Sequence, residues 1–441
     1  MAKKINGKEY DAWSKEELIK EIVKIKSTTY GLVWHRDLPE EKIDILVNPD
    51  ARTPNEMFPN EMAGKPFPVL KEVKSKAIES DKSKFVNLLI EGDNYHSLAV
   101  LNFTHREAVD LIYIDPPYNT GNNDFIYNDK FVDKEDSFRH SKWLSFMEKR
   151  LKLSKNLLKQ SGVIFISIDD NEQAPLRMLC DEIFGQDNFI ATIIWQKKYT
   201  QSNDAKYFSA THDFILCYAK NTTKDGFKVN LLQRTEDQTA RYSNPDNDLR
   251  GPWASQPIQA KTPSKSGLYE IVTPAGGRFS PPRGRSWQFS KDRYEEFVKD
   301  NRIWFGEDGK NVPRIKKFLS EVKEGVIPKT IWLYDEVGSN DDGKRLLKEL
   351  LPEKSFDSPK PVSLLQHIIK LSSGKEATIL DFMAGSGTTA HAVLELNKQD
   401  NGHRNFILCT NNENNICTEI CYPRVKKAIG LGFKLLTQRV D

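Results

Sequence analysis

From about residue 84 the chain alternates short apolar runs with stretches whose apolar residues recur every three or four positions. Val86–Ile90, Val109–Ile114 and Val163–Ile168 are nearly continuous apolar runs of strand length, the pattern of strands buried on both faces. Between the last two, Leu144, Met147, Leu151, Ser154 and Leu158 share one helical face, and Gly162 follows as the expected helix end. Thr192–Gln196 and Asp213–Ala219 predict two further strands. The rhythm breaks from about 221 to 352, where turn residues, Trp, Arg and Lys dominate. It then resumes with a helix near Val362–Leu371, a strand at Ala377–Leu380, a glycine-rich turn, a helix to Leu396 and a strand at Phe406–Cys409. Strands alternating with helices predict an α/β fold with a doubly wound, mostly parallel sheet. Ahead of it, a charged helical stretch (Ser14–Ile25) and a passage through Pro54, Pro59, Pro66 and Pro68 read as an arm. Four segments are therefore expected: an arm over 1–80, half a sheet domain over 81–220, an inserted domain over 221–352 and the other half over 353–441.

Composition narrows the class. No apolar run approaches the ~20 residues that span a bilayer, and the N-terminus lacks the apolar core of a secretory signal, so a cytoplasmic protein is expected. Cys180, Cys217, Cys409, Cys417 and Cys421 lack the paired spacing of a zinc ribbon and read as thiols of a reducing compartment, with no metal. A net charge of +3 does not by itself point to nucleic acid, but its distribution does. Between Arg250 and Lys291 lie seven Lys/Arg and a single acidic residue, Glu270, interleaved with Trp253, Tyr269, Phe279, Trp287 and Phe289. Such a stretch suits phosphates and stacked bases, and makes Lys261, Lys265, Arg278, Arg283 and Arg285 candidate DNA contacts.

Two motifs carry chemistry. Asp115-Pro116-Pro117-Tyr118 directly follows an apolar run, and the carboxyl ends of strands are where open α/β sheets bind ligands. The prolines stiffen the loop and leave carbonyls without competing donors. Asp115 and the Pro116 carbonyl can accept the two hydrogens of an aromatic amine while Tyr118 stacks on its ring. An amine held this way can attack a methyl sulfonium in line, by positioning and electrostatics alone. The second motif, Asp381-Phe-Met383-Ala384-Gly385-Ser386-Gly387-Thr388-Thr389, is again strand, tight turn and helix. Its glycines allow close approach to a ligand, yet it has neither the lysine of a phosphate-binding loop nor a full dinucleotide fingerprint. A cofactor without phosphate, such as S-adenosylmethionine, fits better. In a doubly wound sheet both motifs face one crevice whatever their order in the chain.

Taken together, these motifs resemble the β-class amino-methyltransferases, in which the Asp-Pro-Pro-Tyr motif precedes a target-recognition region and the glycine motif follows it. Leu111–Gly121 with Asp124–Asp129, Ile90–Leu98, Gly162–Asp170, His212–Lys220 and Asn412–Lys427 further resemble the modification (Mod) subunits of type III restriction systems, over about 84–220 and 356–430. The resemblance implies a DNA adenine (N6) methyltransferase. Asp115, Pro116, Pro117 and Tyr118 would hold the target base, and Asp381 through Thr388 would form the cofactor floor. It places Asp93 near the cofactor adenine, Pro361 in a segment that closes over the methionine part, and Glu413 at the ribose, with Thr410 and Asn411 competing. Duplex DNA, a second copy of the chain and an ATP-dependent restriction (Res) subunit are the implied partners. Trp13, Leu18, Ile22, Val33 and Trp34 of the arm are available for such contacts. The family usually has Phe where this chain has Met383, and its type III members usually continue beyond Lys427. Cytosine N4 methylation is the rival chemistry, for which Ser commonly replaces the Asp. A non-catalytic specificity or assembly subunit is the rival class.

Overall fold

In the computed structural model, described residues are 68–77, 86–122, 124–127, 130–429 and strand 434–440, with isolated positions at 4–5, 8–9, 14–16, 18–19 and 34. Most of the expected arm therefore lies outside the described residues. The chain forms two compact units, one of residues 1–230 with 329–441 and the other of residues 231–328.

The larger unit is a ten-stranded sheet. In chain order its strands are β1 (Leu70–Glu72), β2 (Val86–Glu91), β3 (Val109–Ile114), β4 (Leu158–Ile168), β5 (Phe189–Gln196), β6 (His212–Ala219), β7 (Ile331–Trp332), β8 (Thr378–Asp381), β9 (Asn405–Thr410) and β10 (Lys434–Val440). They lie side by side as β7-β5-β6-β4-β3-β8-β9-β2-β10-β1. From β4 to β10 every neighbouring pair is parallel, while β6 runs antiparallel to both β4 and β5. Strands β2, β3, β4, β8 and β9 are buried on both faces over most of their length, so their sequences read as nearly continuous apolar runs. Helices α1 (Asn94–Thr104), α2 (Arg139–Leu157), α3 (Gln173–Phe184), α4 (Asn340–Leu350), α5 (Val362–Ser372), α6 (Thr388–Asp400) and α7 (Tyr422–Ile429) complete the unit.

One expected boundary moves. Leu158 belongs to the strand: α2 stops at Leu157, and Leu158 pairs with Val109. The next pair is Leu111 with Val163, so the intervening residues loop out of register. Gly162 serves this irregularity, because a Cβ there would sit 2.9 Å from the Lys159 carbonyl oxygen and 3.0 Å from that of Val109. A second boundary moves as well. Residues 221–230 and 329–352, read from sequence as part of the insertion, lie in the larger unit, where β7 of the second stretch pairs with β5.

The smaller unit has a three-stranded sheet ordered 253–257, 314–318, 303–304 and a core of Ile258, Ile271, Trp287, Tyr294, Ile303 and Ile315. Lys316 is fully buried there, paired with Asp246 and 3.6 Å from Asp248, with its ammonium 5.2 Å from the Trp253 ring. The unit's two ends meet: Leu232 and Val326 exchange backbone hydrogen bonds at 2.9 Å in each direction.

Candidate active site

β3 delivers Asp115 at its carboxyl end, and the loop that follows is anchored on several sides. The Trp143 indole donates to the Pro117 carbonyl at 2.7 Å. Asn119 adopts a left-handed backbone (φ 56°) and is buried. Its amide donates to the fully buried Glu172 carboxylate at 2.5 Å and to the Arg139 carbonyl at 3.3 Å. His140 meets the same Glu172 oxygen at 2.6 Å. Burial raises the Glu172 carboxyl above its ordinary range, against the pull of these partners. The chemistry-bearing loop is thus anchored by a buried acceptor.

The Tyr118 hydroxyl donates to Asp213 at 3.4 Å, and Asp213 also accepts from Lys197 at 2.5 Å. Burial, with the charges of Asp115 and Asp213, holds the Tyr118 phenol well above its usual pKa, so it stays protonated. Asp115 itself accepts from Lys360 at 2.6 Å on both carboxylate oxygens. The Lys360 ammonium lies 5.1 Å from the Tyr118 ring centre and 5.9 Å from that of Trp195. Lys360 is buried, next to Pro361 in Ser358-Pro-Lys-Pro361, and was not singled out from sequence. A lone lysine between two prolines was the available signal. Its partner stands 245 positions earlier, a pairing that no spacing rule reaches.

β8 delivers the second motif. Asp381 is buried and accepts from the Met383 backbone at 3.0 Å and the Thr389 hydroxyl at 2.5 Å. Burial, and to a lesser degree the charge of Asp115, pushes its carboxyl up to about 7. Gly385 (φ 49°) and Gly387 (φ 76°) both take the left-handed backbone that glycine adopts freely. A Cβ at Gly385 would press on Phe356 at 3.3 Å, and one at Gly387 would meet the Cys421 sulfur at 2.9 Å. Behind the turn, the fully buried Arg424 donates to the Ser386 and Thr388 hydroxyls at 3.0 and 2.8 Å. Arg424 was not singled out from sequence.

β3 and β8 are neighbours, with Leu111 opposite Ile379 and Ile112 opposite Leu380. One cavity therefore joins both motifs: Asp115, Lys360, Asp381, Met383, Ala384, Gly385, Ser386 and Thr388 all line it, with Phe356 and Ser358. Two carboxyl groups against one ammonium make a lining better suited to a cationic guest than to a phosphate. Pro361 stands just outside, as the residue that begins α5. Asp93 lies at the end of β2, where its carboxylate caps α1 through the backbone N–H groups of Tyr95 and His96 and meets Arg150 at 3.4 Å. Glu413 is exposed in a single turn after β9, following the buried Thr410 and the exposed Asn411. Neither Asp93 nor Glu413 lines the cavity.

In the smaller unit, Lys261, Lys265, Arg283 and Arg285 are exposed, and Arg278 is exposed but paired with Glu270 at 2.7 Å. The interleaved aromatics do not face solvent as expected. Trp253 and Trp287 are buried, and Tyr269, Phe279 and Phe289 pack on the core. A unit of this size with short strands needs its large rings for interior volume, which leaves the cations alone at the surface.

The profile of the DNA methylase family N6_N4_Mtase matches residues 109–421. The chain is 37% identical over 366 residues to the Mod subunit of the type III restriction-modification enzyme StyLTI of Salmonella typhimurium, covering 78% of this chain and 55% of that one. It is 32% identical to the EcoPI Mod subunit of Escherichia phage P1, over 84% of this chain and 63% of that one. The type II methyltransferase M.KpnI of Klebsiella pneumoniae is 31% identical, over 75% of this chain and 82% of its own length. The chain thus spans somewhat over half the length of the two Mod subunits. The matched region takes in both β3 with its Asp-Pro-Pro-Tyr loop and β8 with its glycine turn, and on that basis the chain belongs to the N6/N4 DNA methylase family.

Proposed function

We propose that this chain transfers a methyl group from S-adenosylmethionine to the N6 amine of an adenine flipped out of duplex DNA, as the modification component of a restriction-modification system. The observation that carries the reading is the single cavity shared by Asp115 and the Gly385 turn, on neighbouring parallel strands. S-adenosylmethionine, when bound over that turn, supplies an electrophilic methyl group on a cationic sulfur. Met383, Ala384, Gly385, Ser386 and Thr388 form its floor. Asp381, poised near neutrality by burial, is drawn into its charged form by a cation close by. Asp93, Pro361 and Glu413 act at the cofactor's periphery, in the places the family resemblance gives them.

Asp115 orients the target amine. Lys360 donates to both oxygens and fixes the carboxylate's orientation, and the clamp through Asn119 and Glu172 keeps the loop from drifting. Tyr118, fixed at its hydroxyl by Asp213, presents its ring to the base. Asp in place of Ser at position 115 favours adenine over cytosine N4. The smaller unit, with Lys261, Lys265, Arg278, Arg283 and Arg285, reads the DNA. Similarity to Mod subunits of type III restriction-modification enzymes supports a restriction (Res) subunit as partner, and a homodimer and a cytoplasmic site of action belong to the same reading.

The test is direct. Plasmid DNA incubated with the chain and methyl-tritiated cofactor, then digested to nucleosides, should carry label in N6-methyladenine. Asp115→Ala should bind the cofactor yet transfer at less than about a thousandth of the wild-type rate, as when a group acting in the transition state is removed. Label in N4-methylcytosine would install the rival chemistry. Cofactor binding without transfer would leave a scaffold.

A further inference from the structure

Between β5 and β6 the chain makes an excursion from Lys198 to Thr211 that the chemistry so far leaves unused. Its base is closed by the backbone N–H groups of Lys197 and Lys198, which both donate to the Thr211 carbonyl, at 2.9 and 3.2 Å. Further out, the Ser202 N–H donates to the Ser209 hydroxyl at 2.8 Å, so the two arms stay together as a finger. The sheet register fixes where it emerges. Phe214, at the start of β6, lies opposite Ile168 at the end of β4, and Ile166 of β4 lies opposite Ile114 at the end of β3. The finger therefore rises from the same sheet edge as Asp115. Its stem is one contact from the site, because Lys197 and the Tyr118 hydroxyl share Asp213.

The finger carries apolar surface where a folded chain ordinarily hides it. Phe208 is 95% exposed and Tyr207 80%, the highest values among the described aromatic residues, and Tyr199 is 60% exposed. Both Lys198 and Lys206 are exposed too, the latter with its ammonium 5.2 Å from the Tyr207 ring, against one carboxylate, Asp204. Rings beside cations on a projecting loop match one kind of surface, a polyanion that also offers flat apolar faces. Displacing a base from a duplex creates such faces, since its neighbours and its orphaned partner lose their stacking. Apolar side chains that enter the stack are a recurrent answer to that loss.

We infer that the 199–210 finger enters the duplex beside the target adenine, and that Phe208, seconded by Tyr207, fills the gap left by the displaced base. The inference rests on the proposed DNA adenine methylation. It adds a residue-level division of labour: Tyr118 receives the base that leaves, and Phe208 replaces it in the stack.

The experiment compares two duplexes built on a site mapped by single-molecule sequencing of plasmid modified by the full chain. In one the target adenine faces thymine; in the other it faces an abasic position, so no pair must be broken. Phe208→Ala should lower methylation of the paired duplex at limiting DNA by about tenfold, the scale of one lost base–aromatic stack. On the abasic duplex it should come within about twofold of wild type by the same reasoning. Phe208→Trp should restore the paired duplex. Since the side chain is almost wholly exposed, the substitution removes no packing. 2-Aminopurine at the target position should brighten on binding to the wild type and less so with Phe208→Ala. Equal losses on both duplexes, or no loss on the paired one even with Tyr207→Ala added, overturn the finger alone. So does a variant unchanged on DNA that no longer assembles with a partner protein. A wild-type chain that methylates neither duplex overturns the proposed function, and this inference with it.

Discussion

The two units of the chain solve the problem of a stable interior in opposite ways. In the larger one, long parallel strands bury Leu, Ile and Val on both faces, and the reactive groups stand only at one edge, on loops held by that core. In the smaller one the labelled strands run from two to five residues, and the interior is filled by Trp287, Tyr294 and the rings around them, with Lys316 sealed inside among Asp246, Asp248 and Trp253. The contrast suits what each is proposed to do. Transfer chemistry needs atoms held to fractions of an ångström, which an over-determined sheet edge supplies. A reading surface needs exposed side chains that can vary without disturbing the interior, and short strands joined by turns supply those.

The sharpest way to break the contrast is to damage one unit and watch the other. Gly385→Asp forces a side chain onto Phe356 and a left-handed backbone on a residue that resists it, and adds a charge beside Asp381 and Asp115. Calorimetry should show S-adenosylmethionine affinity falling by at least about a hundredfold, since strain and charge together exceed roughly 3 kcal/mol. DNA binding by gel shift should persist. Loss of both would mean that the units are not independent in function.

Next in size is Lys360→Ala, which leaves the Asp115 carboxylate without its charged donor. A hydrogen bond to a charged group is worth about 1.5–3 kcal/mol, so kcat should fall by roughly ten- to a hundredfold while cofactor affinity changes less. An unchanged kcat would make Lys360 a purely structural partner. Smaller again is the effect of neutralising Arg278, Arg283 and Arg285 together to Gln. Duplex affinity should weaken by about tenfold, and the slope of log affinity against log salt should flatten by about 2–3, as expected for two or three lost phosphate contacts. The rate at saturating DNA should hold. If the salt slope is untouched, these cations face away from DNA.

A separate expected effect, on folding and not on activity, is pH-dependent stability. The folded protein binds the Asp381 proton more tightly than the unfolded chain does, with a carboxyl pushed up to about 7 against an ordinary 3.8. Its contribution to stability is therefore full below about pH 4 and is lost as pH rises through 7. Urea midpoints of the wild type should drop between pH 5 and 8 by more than those of Asp381→Asn. Parallel curves would mean that this carboxyl does not titrate in that window.

Much of the larger unit was legible because each local pattern agreed with the global one. Runs such as Val109–Ile114 have the length and the β-branched and aromatic content of strands between two layers, and a rigid proline loop after such a run belongs at a sheet edge. The glycine turn was readable for the same reason. Besides the bounds of the insertion, three things escaped. The end of α2 was misplaced because Leu158 suits a helix face as well as a strand, and the out-of-register stretch before Val163 has no periodic signature. Lys360 and Arg424 were missed because their partners are contacts of tertiary structure, Asp115 in one case and Ser386 with Thr388 in the other. The aromatics of the smaller unit were misread because Gly and Pro between Trp253 and Trp287 suggest open loops, whereas the rings turn inward to make a core.

The backbone exchange between Leu232 and Val326 has a consequence for how such a chain can change over time. Because entry and exit of the smaller unit are tied together, its near-hundred residues present themselves to the rest of the polypeptide as a short loop with a fixed gap. Closing a loop costs entropy according to the separation it must hold, and here that separation is set inside the unit itself. Recombination could therefore replace everything between the two tied residues with a different sequence whose ends meet in the same way. Under the proposed assignment of DNA reading to the smaller unit, a lineage built on this plan acquires new target sequences by cassette replacement while its chemistry is inherited intact.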